Sequence, residues 1–82
     1  MTGVPDLPPV GTIVRLSDSD FYHKLAQGKL ARITDINHRD HSRGSAEILE
    51  PERDEWGGLV REQYIEADLL VPVPHSKTHG QL

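Results

Sequence analysis

The chain has 82 residues, of which 35% are hydrophobic and 27% are charged, and its formal net charge is -4. This length allows one domain with a small core. The absence of cysteine excludes disulfide bonds and thiolate metal sites as additional sources of stability. Apolar packing must therefore stabilise the fold, and self-association is one way to supplement it.

No apolar run approaches the roughly 20 residues that a membrane-spanning helix needs. The first residues also lack the basic and apolar regions of a signal peptide. We therefore expect a cytoplasmic protein that has no membrane partner.

Short apolar runs alternate with Gly, Pro and charged turns along the chain, which is typical of an all-β domain. Residues 1–9 carry three prolines and are expected to form an extended arm. The first predicted strand is residues 10–16. Val10, Thr12, Val14 and Leu16 share one face of it, and Ile13 and Arg15 point the other way, because side chains alternate along a strand.

Residues 17–28 are polar and predict a long, ordered loop. In this loop Ser17 or Asp18 could cap a single helical turn across residues 21–25, which Gly28 would end.

The remaining predicted strands are residues 29–37, 44–50, 55–61 and 67–73. A break in alternation predicts a bulge near Thr34 or Asp35, and Ala46 and Ile48 should point inward. We expect a turn at residues 51–54 and a 3₁₀ turn at residues 62–66. The barrel would thus span residues 10–74, followed by a disordered tail at 75–82.

Five short strands, a long first loop and a 3₁₀ turn before the last strand are the order of a Src-homology-3-like (SH3-like) barrel. The segment GLVREQYIE, residues 58–66, resembles the closing signature of those domains, with Tyr64 at the tyrosine position and Ile65 at the next apolar one. GKLARITDI resembles the glycine-led strand of KOW-type barrels, and ADLLVPV resembles the last strand of bacterial members. The resemblance implies a small five-stranded SH3-like barrel.

Four aromatic residues are candidates for a partner-binding surface. The resemblance implies that their positions can converge beside one groove, where amphipathic rings bind peptides. The thin core favours a competing interpretation, in which Trp56 and Phe21 complete the core. The four residues are Phe21, Tyr22, Trp56 and Tyr64.

Acidic residues are concentrated in one predicted hairpin and give it a negative field. Such a hairpin would attract a basic partner surface, or would simply be a solvated turn. The candidate contact residues there are Glu50, Glu52, Asp54 and Glu55, beside Glu47.

Basic residues in the first half suggest a second possibility, a KOW-like module that binds nucleic acid or the ribosome. The candidate contacts are Arg32, Arg39 and Arg43. The acidic isoelectric point, near 5.6, makes this partner less favourable.

Histidine and acidic residues form no recognisable metal or catalytic motif. His38 and His41 flank Asp40, and His75 and His79 lie in the tail, but a metal site needs three or four convergent ligands. We therefore expect no metal, no cofactor and no enzymatic activity.

The sequence thus favours a non-enzymatic SH3-like barrel, bacterial or phage-encoded, that acts as an accessory or regulatory protein-binding module. The alternatives are the nucleic-acid or ribosome-associated module and a structural subunit that self-associates through an open sheet edge.

Overall fold

The structure, a computed structural model, describes residues 5–71 and residue 73. The predicted tail at 75–82, with His75 and His79, lies outside the described residues, as does the beginning of the predicted arm.

Five antiparallel strands form one sheet in the order β4-β3-β2-β1-β5. This confirms the predicted all-β class and the 3₁₀ turn before the last strand. Among the described residues no helix is long and apolar enough to cross a membrane. The elements are β1 (Ile13–Leu16), β2 (Leu30–Ile36), β3 (Arg43–Arg53), β4 (Leu59–Glu66), a 3₁₀ turn (Ala67–Leu69) and β5 (Leu70–Val71).

The alternation of side chains determines which face of each strand is buried. Ala46 and Ile48 are buried in β3, as predicted. Val14 and Leu16 share the buried face of β1, in keeping with a period of two, but Val10, predicted on the same face, lies before β1 and is 57% exposed. The pairing of β2 with β3 shifts register between Ile33 and Asp35. The predicted bulge is therefore confirmed and lies at the intervening threonine.

The β3–β4 hairpin differs from the prediction in its turn. Strand β3 continues through the predicted turn at 51–54 as far as Arg53, and the chain reverses at residues 54–58. Pro51 has no amide hydrogen to donate to a neighbouring strand. It is tolerated in β3 because it lies where the β3–β4 pairing is irregular, between Glu47 and Glu52. The predicted fourth strand at 55–61 consequently begins too early.

The prediction of a 3₁₀ turn at residues 62–66 is wrong in position. Those residues belong to β4 and pair with β3, with Tyr64 opposite Ser45, and the 3₁₀ turn follows at Ala67–Leu69. The long backbone ladder favours an extended chain up to Glu66. The long first loop likewise contains hydrogen-bonded turns at 23–27 in place of the helical turn expected at 21–25.

The sheet is strongly curled but, within the described residues, it is not closed into the predicted barrel. Strands β4 and β5 are its two edges, which in a flat five-stranded sheet would lie about 19 Å apart. Only the three residues of the 3₁₀ turn join these edges, and they span about 8 Å. The short connection therefore holds the two edges close together at this end.

One apolar cluster fills the concave side of the curled sheet. Most members come from the strands, but Leu7 belongs to the N-terminal arm, and Tyr22 and Ala26 belong to the long first loop. The buried residues are Leu7, Val14, Leu16, Tyr22, Ala26, Ala31, Ile33, Ala46, Ile48 and Ile65. The arm and the loop therefore cover core surface that five short strands leave open.

Gly44 allows a close approach of β2, β3 and the arm. A Cβ atom at this position would collide with the backbone oxygen of Asp35 and would lie 3.0 Å from Leu7 Cδ1. Gly57 differs, because its φ of +84° favours glycine although the space around it is open.

We predict that Gly44→Ala lowers the free energy of unfolding by about 2–3 kcal/mol, because backbone must move to relieve the collision. Gly57→Ala, the matched control, should cost only about 1 kcal/mol for the left-handed backbone. Urea denaturation of both variants measures the difference. Equal losses would contradict the close packing at Gly44.

Candidate binding groove and hairpin tip

A groove of about 570 Å³ opens between the long first loop and the loop that joins β2 to β3. We call it the aromatic groove, because two aromatic rings line it. Its lining residues are Phe21, Asp35, Ile36, Asn37, His38, Arg39, Arg43, Gly44, Ser45, Tyr64, Ile65 and Glu66.

Phe21 and Tyr64 present ring surface to this groove from two different elements. The Phe21 side chain is 45% exposed and that of Tyr64 is 75% exposed. The Phe21 ring packs edge-on against Tyr22, with 5.2 Å between the ring centroids. Its position is therefore fixed by a ring of the core, and the groove is formed before any partner binds.

The β2–β3 loop borders the groove and is held by side chains that bind its own backbone. Asn37 Oδ1 accepts a hydrogen bond from the Arg39 amide at 2.7 Å. Asp40 Oδ1 accepts one from the Ser42 hydroxyl at 2.6 Å and another from the Ser42 amide at 3.1 Å. The Ser42 hydroxyl and amide hold the pKa of Asp40 below its usual value. The Asp40 carboxylate therefore stabilises the loop.

The three arginines proposed to contact nucleic acid differ in their placement. Arg39 and Arg43 line the groove, whereas Arg32 lies on β2 opposite Glu47. Arg43 Nε is 3.5 Å from both Asp40 Oδ2 and Glu66 Oε2. Arg39 forms no ion pair among the described residues, so it is the cation of the groove that remains available to a ligand.

Tyr22, predicted as a contact residue, is 2% exposed and belongs to the core. Its Oη is buried without a well-formed hydrogen bond among the described residues. Burial raises the pKa of Tyr22, the backbone amide of Glu66 partly offsets the rise, and the Glu66 charge adds to it.

We predict that Tyr22→Phe leaves the stability at neutral pH within about 1 kcal/mol, because it removes a poorly satisfied buried hydroxyl. The pKa of Tyr22 is higher in the folded than in the unfolded state. Its contribution to stability is therefore complete below the ordinary tyrosine pKa, and it is lost as the pH rises through the folded-state pKa. The wild type should therefore lose more stability than Tyr22→Phe above about pH 10. Urea denaturation at a series of pH values tests this, and parallel losses would contradict it.

The hairpin tip, residues 54–58, places Trp56 in solvent with its side chain 84% exposed. Asp54 Oδ1 accepts hydrogen bonds from the amides of Trp56 at 2.9 Å and Gly58 at 2.8 Å. Arg53 Nη1 donates to the Gly57 oxygen at 2.7 Å. The tip is therefore a well-ordered turn that displays an indole ring.

The acidic residues of the hairpin are partly neutralised. Lys29 forms an ion pair with Glu52, and Arg61 Nε lies 3.9 Å from Glu47 Oε2. The Asp54 carboxylate is engaged with the turn. Within the described part of the chain, Glu50 and Glu55 form no ion pair, and they carry the charge that remains for a partner.

The alternative in which Trp56 and Phe21 complete the core is wrong, because both side chains are exposed and Tyr22 occupies the core instead. The four aromatics also do not converge on one groove. Phe21 and Tyr64 do, whereas Trp56 lies at the far end of the hairpin. Whether these surfaces bind a partner stays a prediction.

The sequence did not predict that Phe21 and Tyr64 lie beside Arg39 and Arg43 in one groove. The register Ser45↔Tyr64 produces it, and this register depends on the position of the hairpin turn. The available signal was the sequence from Asp54 to Gly58, in which an Asx turn ends in two glycines.

Among the described residues, no group of three or more His, Cys, Asp or Glu side chains is placed to hold a metal ion.

Comparison with known proteins found no matching family model, no matching curated protein and no matching solved structure.

We predict that Asp54→Ala loosens the hairpin tip and lowers stability by about 1–2 kcal/mol, because two backbone amides lose their acceptor. Trp56 is the only tryptophan, so its fluorescence anisotropy in dilute solution should fall in this variant. Asp54→Asn retains Oδ1 and is the matched control, with a smaller change. Blue-shifted emission from the dilute wild type would contradict the exposed position of Trp56.

Proposed function

We propose that the protein is a non-enzymatic SH3-like module whose aromatic groove binds an extended segment of another protein. The support for the SH3-like assignment is the topology: five antiparallel strands in the order β4-β3-β2-β1-β5, a long loop after β1 and a 3₁₀ turn before β5. The position of Tyr64 does not add to this support, because the residue lies in β4.

The observation that carries the proposal is the preformed groove between two loops, with Phe21 and Tyr64 exposed in it. Aromatic side chains bury a large area on binding and lose little conformational entropy. Ile36 and Gly44 also line the groove and add apolar surface for a ligand side chain. The volume of the groove lies within the range of ligand-binding pockets.

The charges favour a partner segment with an acidic group beside its apolar side chain. Arg39 is the free cation at the groove, whereas Arg43 is held by Asp40 and Glu66. An incoming carboxylate could pair with Arg39 without displacing an existing ion pair. This differs from the basic partner surface predicted from the sequence, which applies to the hairpin end of the molecule.

The second candidate is binding of single-stranded nucleic acid at the same groove. The observation in its favour is that Arg39 and Arg43 lie beside Phe21 and Tyr64, since stacking on aromatics combined with arginine contacts is how such strands are bound. The carboxylates of Asp35 and Glu66 line the same groove and oppose phosphate binding.

We predict that Tyr64→Ala weakens partner binding at least tenfold, because a central aromatic contact typically contributes about 1.4 kcal/mol or more. Tagged wild type and variants would be used to capture partners from the native host, and each captured protein would then be titrated against the isotopically labelled module by NMR. Tyr64→Phe retains the ring and is the matched control. Groove amides should shift on titration.

Titration with single-stranded oligonucleotides separates the two candidates. Oligonucleotide binding that Arg39→Ala abolishes would favour the second one. A captured protein that binds the wild type and Tyr64→Ala equally well would contradict the proposal that the groove is the binding site.

A further inference from the structure

Each chain carries two exposed aromatic surfaces that lie far apart. The hairpin tip presents Trp56 beside Glu55, and the aromatic groove presents Phe21 and Tyr64 beside Arg39. The two surfaces lie at opposite ends of β3, which has 11 residues and is therefore about 35 Å long. The tip of a chain cannot reach the groove of the same chain.

The two surfaces are complementary in chemistry. The tip has one indole ring and a free carboxylate on adjacent residues, and the groove has two rings and a free guanidinium. An indole between Phe21 and Tyr64 would make aromatic contacts on both sides. Glu55 would then pair with Arg39, the groove cation that forms no ion pair among the described residues.

Both surfaces are held in place before they meet. The Asp54 turn fixes the backbone that carries Trp56, and the contact with Tyr22 fixes the Phe21 ring. Preorganised groups lose less conformational entropy on association. An exposed tryptophan in an ordered turn is also typical of the residues that dominate interface energies.

We propose that the hairpin tip of one copy binds in the aromatic groove of a second copy, so that the protein self-associates head to tail. This proposal rests on the proposed function of the groove as a binding site, and it adds a second copy of the chain as an occupant. A contact between two different surfaces of the same chain is heterologous, and every open assembly keeps one free tip and one free groove. Association therefore continues into short chains or closes into a ring.

A single turn bound in one groove makes a small interface, and interfaces below the standard size bind weakly. We therefore expect association to become visible as the protein concentration rises from about 10 μM to 1 mM. Sedimentation velocity should show a continuous increase in mean mass over this range. Trp56→Ala and Tyr64→Ala, each alone, should raise the dissociation constant of self-association about thirtyfold or more. Leu49→Ala, an exposed apolar residue on β3 outside both surfaces, is the matched control and should behave as the wild type.

Mixing the two variants distinguishes a contact between tip and groove from a contact between two identical surfaces. Trp56→Ala keeps an intact groove, and Tyr64→Ala keeps an intact tip. One copy of each variant can form a single intact tip-to-groove interface, and no intact tip or groove then remains. An equimolar mixture should therefore give a dimer that does not grow. A symmetric contact, such as pairing of two β4 edges, would not be restored by mixing.

The pairing of Glu55 with Arg39 has its own test. Glu55→Arg and Arg39→Glu should each weaken association, and the variant that carries both exchanges should regain it, because the coupling between two residues in contact is not additive. If the double variant is as weak as the singles, the pairing is wrong.

The result that overturns the proposal is a wild type that stays monomeric at 1 mM, or a mixture that shows no dimer. Labelled Trp56→Ala titrated with unlabelled Tyr64→Ala locates the contact by NMR. Shifts of the amides at Phe21, Arg39 and Tyr64 are expected, and shifts confined to residues 59–63 would overturn it. If the groove binds a captured protein but not a second copy, the proposed function stands and this inference fails.

Discussion

The short connection between β4 and β5 is the constraint on which the rest of the molecule depends. Three residues join the two edges of a five-stranded sheet, so the sheet must curl around its apolar face. The Ala67 amide donates to the Ser42 oxygen at 2.8 Å, and the Ser17 amide donates to the Leu69 oxygen at 3.2 Å. These bonds tie the 3₁₀ turn to both loops that border the aromatic groove. The curl thus determines the core and the position of the groove together.

The strands of the curled sheet do not supply the whole apolar core. Segments outside the strands supply the remaining buried side chains. Leu7, Tyr22 and Ala26 enter the cluster from the arm and the long first loop. The loop also reaches the opposite edge, where the His23 amide donates to Gln63 Oε1 at 3.1 Å. In this loop Tyr22 is buried and its neighbour Phe21 is exposed. The same two residues therefore cover the core and line the groove.

Patterns within a strand were readable from the sequence, whereas relations between distant segments were not. The inward faces of β1 and β3 and the bulge in β2 follow from alternation, which is local. The assignment of Tyr22 to the core and Trp56 to the surface was not available from alternation, because it depends on where the long loop crosses the sheet. The misplaced 3₁₀ turn has a related cause: pairing of residues 62–66 with β3 extends them, and this pairing depends on a turn that the Asp54 carboxylate stabilises. The groove combines both kinds of information, so its aromatics and its arginines were each named individually, but their meeting in one groove was not predicted.

The hairpin turn at Asp54 also bears on the order in which the molecule folds. Strands β3 and β4 are joined by a turn of a few residues, and their pairing closes the shortest loop between any two long strands of the sheet. Short loops lose the least chain entropy on closure, and local contacts form fastest. We therefore expect this hairpin to form early, with β1, β5 and the long first loop joining it later. Because the aromatic groove needs Phe21 from that loop, it would be completed only in the last stage of folding, after the tryptophan at the opposite end is already in place.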